Sequence, residues 1–256
     1  MKYYQLLSLL VFCNLLNAQK SVKITYEQKI QYTDAFFTQV PSIDNEDFRA
    51  AFRKPKYFEL INNGDFSLYR SINLKEEIIA SNDVNTATSI SKGTFIKPYK
   101  IWILKDFKKQ SIVASSEVEG KEYYTEKPFS IEELKYNKKV KVIDGYSCLS
   151  AYSVSATNDT TQYWYTQEIP VIDGPFFMST IPGLILSVES KKKQVYAIKI
   201  EFFDKKIEFE TINKKIPFVT EVDLAKMKQE ALKPKSYTDQ FGGKHETSHT
   251  TIKAGN

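Results

Sequence analysis

Apolar residues in this chain recur mostly every second position, the spacing that puts side chains on one face of a β-strand and denies them to one face of a helix. Val22, Ile24, Tyr26, Ile30 and Tyr32 alternate with Lys23, Thr25, Glu27, Lys29 and Gln31, and Tyr196, Ile198, Ile200 and Phe202 alternate with Lys199 and Glu201. Each reads as a strand with one buried and one wet face. The same patterning predicts strands over 57–61, 66–72, 99–104, 121–125, 140–143, 146–154, 161–168, 184–189 and 206–211. Asn62-Asn63-Gly64-Asp65 predicts a hairpin, since Asn and Gly tolerate the positive φ that tight turns demand.

Two segments break the period of two. From Asn45 to Lys54, Phe48, Ala51 and Phe52 share a helical face and Pro55 stops the run. From Glu221 to Lys233, Thr220 is placed to cap, Leu224, Met227 and Ala231 form a stripe, and Pro234 ends it. The predicted fold is therefore mainly β: one large curved antiparallel sheet or a partly open barrel with one or two short helices. A two-sheet sandwich is the alternative. A LolA-like half-barrel would suit such a sheet by fold-level analogy. A sheet bent around an apolar lumen can carry a lipid or another apolar ligand.

The first residues carry a different signal. A short positive start at Met1-Lys2 precedes a mostly apolar run from Leu6 to Leu16 and a small residue, Ala18, which together read as a secretory signal over residues 1–18. The run is too short to span a bilayer. Phe12 stands where a lipoprotein signal wants a small residue before Cys13. The expected organisation is a signal over 1–18, a single β-rich domain over 19–234 and a mobile polar tail over 235–256 in an exported protein, periplasmic or outer-membrane associated. Cys13 leaves with the signal, so Cys148 has no partner for an internal disulfide. Burial must supply the stability, and 16 Tyr and 17 Phe provide the aromatic area. Lys and Arg number 36 against 31 Asp and Glu, a net charge of +5 that is too small and scattered to imply nucleic acid.

The most distinctive stretch is Tyr163-Trp164-Tyr165-Thr166-Gln167-Glu168-Ile169-Pro170, then Asp173-Gly174-Pro175-Phe176-Phe177, then Thr180-Ile181-Pro182-Gly183-Leu184-Ile185-Leu186. It resembles the GLPGLI family, secreted proteins of bacteria with an outer membrane that have no established activity. The hexapeptide here reads TIPGLI. Further short matches are Tyr57-Phe58-Glu59-Leu60 with Ser67-Leu68-Tyr69, and Ile143-Asp144-Gly145-Tyr146-Ser147-Cys148 with Ala151. The resemblance implies a TonB-dependent outer-membrane receptor as a partner.

Without the family, the motif reads as strand ends and turns: Pro presets φ, and Gly183 is expected at positive φ, so that Leu184, Leu186 and Val188 enter the core in register. The bland reading makes Trp164, Phe176 and Phe177 core residues beside turns. The sharper one makes Trp164, Tyr165, Phe176, Phe177, Pro182 and Gly183 the aromatic mouth of a ligand or partner site.

Catalytic signals are sparse. His245-Glu246-Thr247-Ser248-His249 matches H-E-x-x-H, the helical pattern of a zinc hydrolase with His245 and His249 as ligands and Glu246 as base. Gly242-Gly243 before it and Thr250-Thr251 after it discourage the helix. Carboxylate pairs such as Glu117 with Glu119 and Glu132 with Glu133 read as solvated faces. Cys148 reads as a small core residue. Asp159-Thr160-Thr161 resembles a short bacterial O-glycosylation acceptor, with Thr160 in an exposed turn. The expectation is a non-enzymatic protein without cofactor that binds a partner or an apolar ligand, with the zinc hydrolase as alternative.

Overall fold

A computed structural model describes residues 21–38, 46–72, 77–80, 93–96, 100–130, 133–233, 235–238 and 244–247. The expected signal lies outside them, and so does His249. Along the chain run β1 (Ser21–Ile30), α1 (Asp34–Phe37), α2 (Glu46–Arg53), β2 (Lys56–Asn62), β3 (Phe66–Ile72), β4 (Glu77–Ala80), β5 (Gly93–Ile96), β6 (Trp102–Asp106), β7 (Ser111–Val118) and β8 (Lys121–Pro128). There follow β9 (Lys135–Ile143), β10 (Tyr146–Val154), β11 (Thr160–Thr166), β12 (Leu184–Ser190), β13 (Lys193–Phe203), α3 (Glu221–Ala231), β14 (Lys235–Thr238) and β15 (Lys244–Thr247).

Eleven strands form one antiparallel sheet in the order β8-β7-β6-β3-β2-β1-β13-β12-β11-β10-β9. The fold is mainly β, as the alternation predicts. The sheet does not close into a barrel: β8 and β9 are its two edges. Irregular registers at Thr25/Tyr26, Leu149/Ser150 and Trp164/Tyr165 mark bulges, which bend and twist a sheet. The central seam is β1 against β13, joining strands from opposite ends of the chain.

Over β3, β6 and β7 both faces of the sheet are covered, which corrects part of the strand reading. On one face, Val22, Ile24, Tyr26, Phe58, Leu60, Tyr69, Ile103 and Ile112 belong to the main core. On the other, Leu68, Trp102, Leu104, Val113 and Tyr124 pack against Phe209, Ile212 and Ile216. Consecutive residues such as Ile112 and Val113 are thus both buried, so β7 carries no alternation and is not among the expected strands. Conversely 206–211 alternates but pairs with nothing in a ladder. It crosses the second face, where the Ile207 N–H donates to Ser21 Oγ at 2.8 Å.

The predicted hairpin is present. Gly64 has φ +87°, and Asn63 Oδ1 accepts from the N–H of Asp65 (3.3 Å) and of Phe66 (3.0 Å). Thr220 caps α3 by accepting from the Asp223 N–H at 3.0 Å, and Leu224 is the buried residue of that helix. The chain beyond 234, expected to lack periodicity, pairs Lys235–Thr238 with Lys244–Thr247 in a two-stranded ladder. This places His245 in a strand opposite Tyr237, so the H-E-x-x-H match does not have the helix that would bring its ends to one face. No described helix is long and apolar enough to cross a membrane.

Candidate functional site

The segment between β11 and β12, residues 167–183, holds most of the motif that dominates the sequence. It lies on the main-core face of the sheet and buries Ile169, Met178 and Ile181 there. Space that an open curved sheet could have offered to an apolar ligand is thus filled by the chain itself.

A buried polar centre pins this segment. Lys105 replaces the apolar residue due after Ile101 and Ile103, and its ammonium is wholly buried. Lys105 Nζ donates to Asp173 Oδ1 (2.7 Å), the Gly174 carbonyl (2.6 Å) and the Met178 carbonyl (2.7 Å). Asn62 Nδ2 donates to Asp173 Oδ2 at 2.9 Å, and the Gly174 N–H to Oδ1 at 2.8 Å. The Asp173 backbone bonds to β12 through the Ile185 N–H at 2.9 Å, and Tyr26 Oη donates to the Ile185 carbonyl at 2.6 Å. Burial pushes the Lys105 ammonium down from the ordinary lysine value, against the pull of Asp173. A buried charge this fully satisfied makes a rigid clamp.

The two glycines of the segment are demanded by close approach. A Cβ on Gly183 would sit 2.3 Å from the Thr166 carbonyl oxygen, and one on Gly174 would sit 2.4 Å from Ile185 Cδ1. Gly183 has the positive φ expected, +158°, and the contact with the Thr166 carbonyl adds a steric demand for glycine. Pro182 is exposed beside it, and its carbonyl accepts from Gln167 Nε2 at 3.2 Å.

Held by this clamp, Phe176 and Phe177 stand over the sheet. Phe176 has φ +58°, unusual for a bulky residue, and its ring packs on Tyr69 (5.2 Å between centroids) and Phe58 (6.3 Å). Phe177 keeps 39% of its surface exposed, with Lys127 Nζ 3.9 Å from its ring centre. Together they wall a cleft of about 300 Å³ between the β6–β8 strands and α3. Ser115, Ser116 and Thr125 bring hydroxyls to it, Leu224 a greasy wall, and among the described lining residues Glu221 is the one carboxylate. Glu221 lies 3.7 Å from Lys127, and Lys228 Nζ donates to Ser116 Oγ at 3.4 Å. An aromatic wall with hydroxyls and single charges suits a ligand with both apolar and hydroxylated surfaces, such as a sugar ring.

The remaining predicted residues lie elsewhere. Trp164 is 9% exposed under Lys141, whose Nζ sits 5.2 Å from its ring, 5.7 Å from the Tyr196 ring and 2.7 Å from Glu189 Oε1. Burial raises the Glu189 pKa, but hydrogen bonds from Lys141 and Ser187 outweigh it and hold the carboxyl below its usual value. Tyr165 is buried against Tyr136. The structure therefore brings Phe176 and Phe177 together at a cleft, leaves Trp164, Tyr165 and Gly183 in packing positions and leaves Pro182 exposed. Thr160 opens β11 and is exposed. Cys148 is buried, and burial pushes its thiol up to about 11. Sequence reasoning missed Lys105, Asn62 and Thr125. A lysine continuing the row of Ile101 and Ile103 was the available signal for the first.

The family model for "N-glycanase peptide, N-terminal domain" matches residues 72–228. Two solved structures of PNGF-II share the fold. The one in space group P21 is 15% identical with a TM-score of 0.57, and the match covers 86% of this chain and 35% of that chain. The one in space group C2 is 14% identical with a TM-score of 0.54, again covering 86% and 35%. This chain thus spans about a third of the length of those proteins. No protein of curated function matches. The matched model is that of a glycanase domain, so the GLPGLI resemblance is not confirmed as family membership. The expectation of a non-enzymatic protein is likewise corrected: the matched family model is that of the N-terminal domain of an N-glycanase.

Proposed function

The chain belongs to the N-glycanase peptide, N-terminal domain family, and from that premise we propose that it serves the removal of N-linked glycans by engaging the sugar chain in the cleft beside Phe176 and Phe177. The observation that carries this reading is the cleft itself: an exposed aromatic ring held on a clamped segment, facing a floor that offers Thr125, Ser115 and Ser116 as hydrogen-bonding groups. Sugar rings present C–H faces that pack on aromatic rings and hydroxyls that need partners, and the cleft supplies both. The Lys105–Asp173 centre fixes the position of the segment, so that binding need not pay to order it.

The test uses the purified protein with a fluorescently labelled N-glycan and, in parallel, a denatured glycoprotein whose glycan release is followed by mass. Phe177→Ala should weaken glycan binding about 3- to 10-fold, the size of one lost aromatic contact. Thr125→Ala should weaken it further in combination. Glu221→Gln tests whether the cleft's carboxylate contributes to any release observed. Absence of both glycan binding and release, or unchanged binding in Phe177→Ala, would overturn the reading.

A further inference from the structure

We infer that the glycan taken by this chain carries an acidic sugar, whose carboxylate is held between Lys56 and Lys193 on the far side of Phe176 from the cleft; this rests on the glycan reading above. Lys193 Nζ lies 4.1 Å from the centre of the Phe176 ring. Phe176 in turn packs on Phe58, which is two residues from Lys56 on the same face of β2. Across the ladders, Lys56 pairs with Gln28, and Gln28 with Val195, two residues from Lys193 on the same face of β13. Phe176, Lys56, Gln28 and Lys193 thus converge on one patch at the end of the main-core face.

Three features of the patch ask for a ligand. Both lysines are half-buried, and burial alone lowers their pKa values, with no counter-charge among the described residues to raise them. Gln28 is only 4% exposed, yet its Oε1 has no hydrogen-bond partner among the described residues. Phe176 holds its ring there from a left-handed backbone, φ +58°, a conformation that marks a constrained position. The nearest carboxylates in sequence do not serve. Glu27 and Glu59 alternate to the opposite face, where Glu27 binds Lys29 and Tyr57 and Glu59 binds Arg70.

The ligand chemistry follows from these groups. Two ammoniums want an anion, the buried carbonyl oxygen of Gln28 wants a hydroxyl donor, and the Phe176 ring wants an apolar edge. A sugar acid supplies all three on one ring: a carboxylate, neighbouring hydroxyls and a C–H face. A bare phosphate or sulfate supplies only the anion.

The experiment compares a sialic-acid-capped N-glycan with the same glycan after its acidic caps are removed, by fluorescence anisotropy on the full chain, with free glucuronate and inorganic phosphate as amide-resolved NMR probes. The acidic glycan should bind at least about tenfold tighter than the neutral one, as a charge-assisted contact provides. Lys56→Gln and Lys193→Gln should each bring the two affinities to within about twofold while leaving neutral-glycan binding and thermal melting unchanged. Glucuronate should shift the Gln28, Lys56 and Lys193 resonances, and phosphate should not. Equal affinity for both glycans would overturn the acidic-sugar site and leave the glycan reading standing. Glucuronate shifts without any glycan binding would do the reverse. Equal response to phosphate would show a simple anion site and also overturn it.

Discussion

Replacing Lys105 by Met removes an ammonium of similar length from a site with no access to water. The variant leaves the Gly174 and Met178 carbonyls without their donor and the Asp173 carboxylate with two of its three partners, Asn62 Nδ2 and the Gly174 N–H. Each orphaned buried carbonyl costs about 1–3 kcal/mol, and losing one member of a buried pair costs about 3–5 kcal/mol in all. For a domain of this size that is a fall in melting temperature of about 10 °C. Urea denaturation of the wild type, Lys105→Met, Asp173→Leu and the double variant closes a double-mutant cycle. The double variant should be more stable than the sum of the single losses predicts, with a coupling of about 2 kcal/mol or more, because it strands no charge. A Lys105→Met loss under about 1 kcal/mol, or strict additivity, would refute the clamp. The same single variant should also weaken glycan binding, since Phe176 and Phe177 ride on the clamped segment.

Gly183→Ala and Gly174→Ala should each destabilise by about 1–3 kcal/mol in the same assay, because the added methyl meets the Thr166 carbonyl in one case and Ile185 in the other; wild-type stability in Gly183→Ala would contradict the steric account. Burial raises the phenol pKa of Tyr26 and Tyr69 well above 10.0, so above that value the unfolded chain releases protons that the folded one keeps and stability falls as pH rises. Absorbance titration should show these phenols ionising only on unfolding, and normal titration of Tyr26→Phe and wild type alike would count against it. With Cys13 replaced by serine, Cys148 should react with a thiol reagent at neutral pH only after denaturation, its thiol being raised to about 11 by burial; rapid reaction of the folded chain would show an opening there.

Alternation over Val22–Tyr26, the Asn63-Gly64 turn, and the Thr220 cap with Leu224 behind it were enough to read a β-rich chain and the helices α2 and α3; α1 was not foreseen, and in β13 it is Val195 and Ala197 that are buried while Ile198 and Phe202 are exposed. These are local properties: period, turn conformation and end caps follow from neighbours in sequence. The aromatic motif around Asp173-Gly174-Pro175-Phe176-Phe177 was likewise visible as the part of the chain with most to explain. What no local rule could give is which strands meet. Pairing β1 with β13, and laying residues 167–183 over the face that carries Lys105, Asn62 and Tyr26, brings together positions 68 residues apart at Lys105–Asp173 and 159 apart at Tyr26–Ile185. Burial on both faces erased the alternation of β7, and a ladder partner was withheld from the alternating 206–211. The site followed the same rule: its aromatic rings were legible one by one, but the convergence of Lys56, Gln28 and Lys193 on Phe176 exists only once three strands and a loop are packed, because contact depends on distance in space and sequence records only distance along the chain.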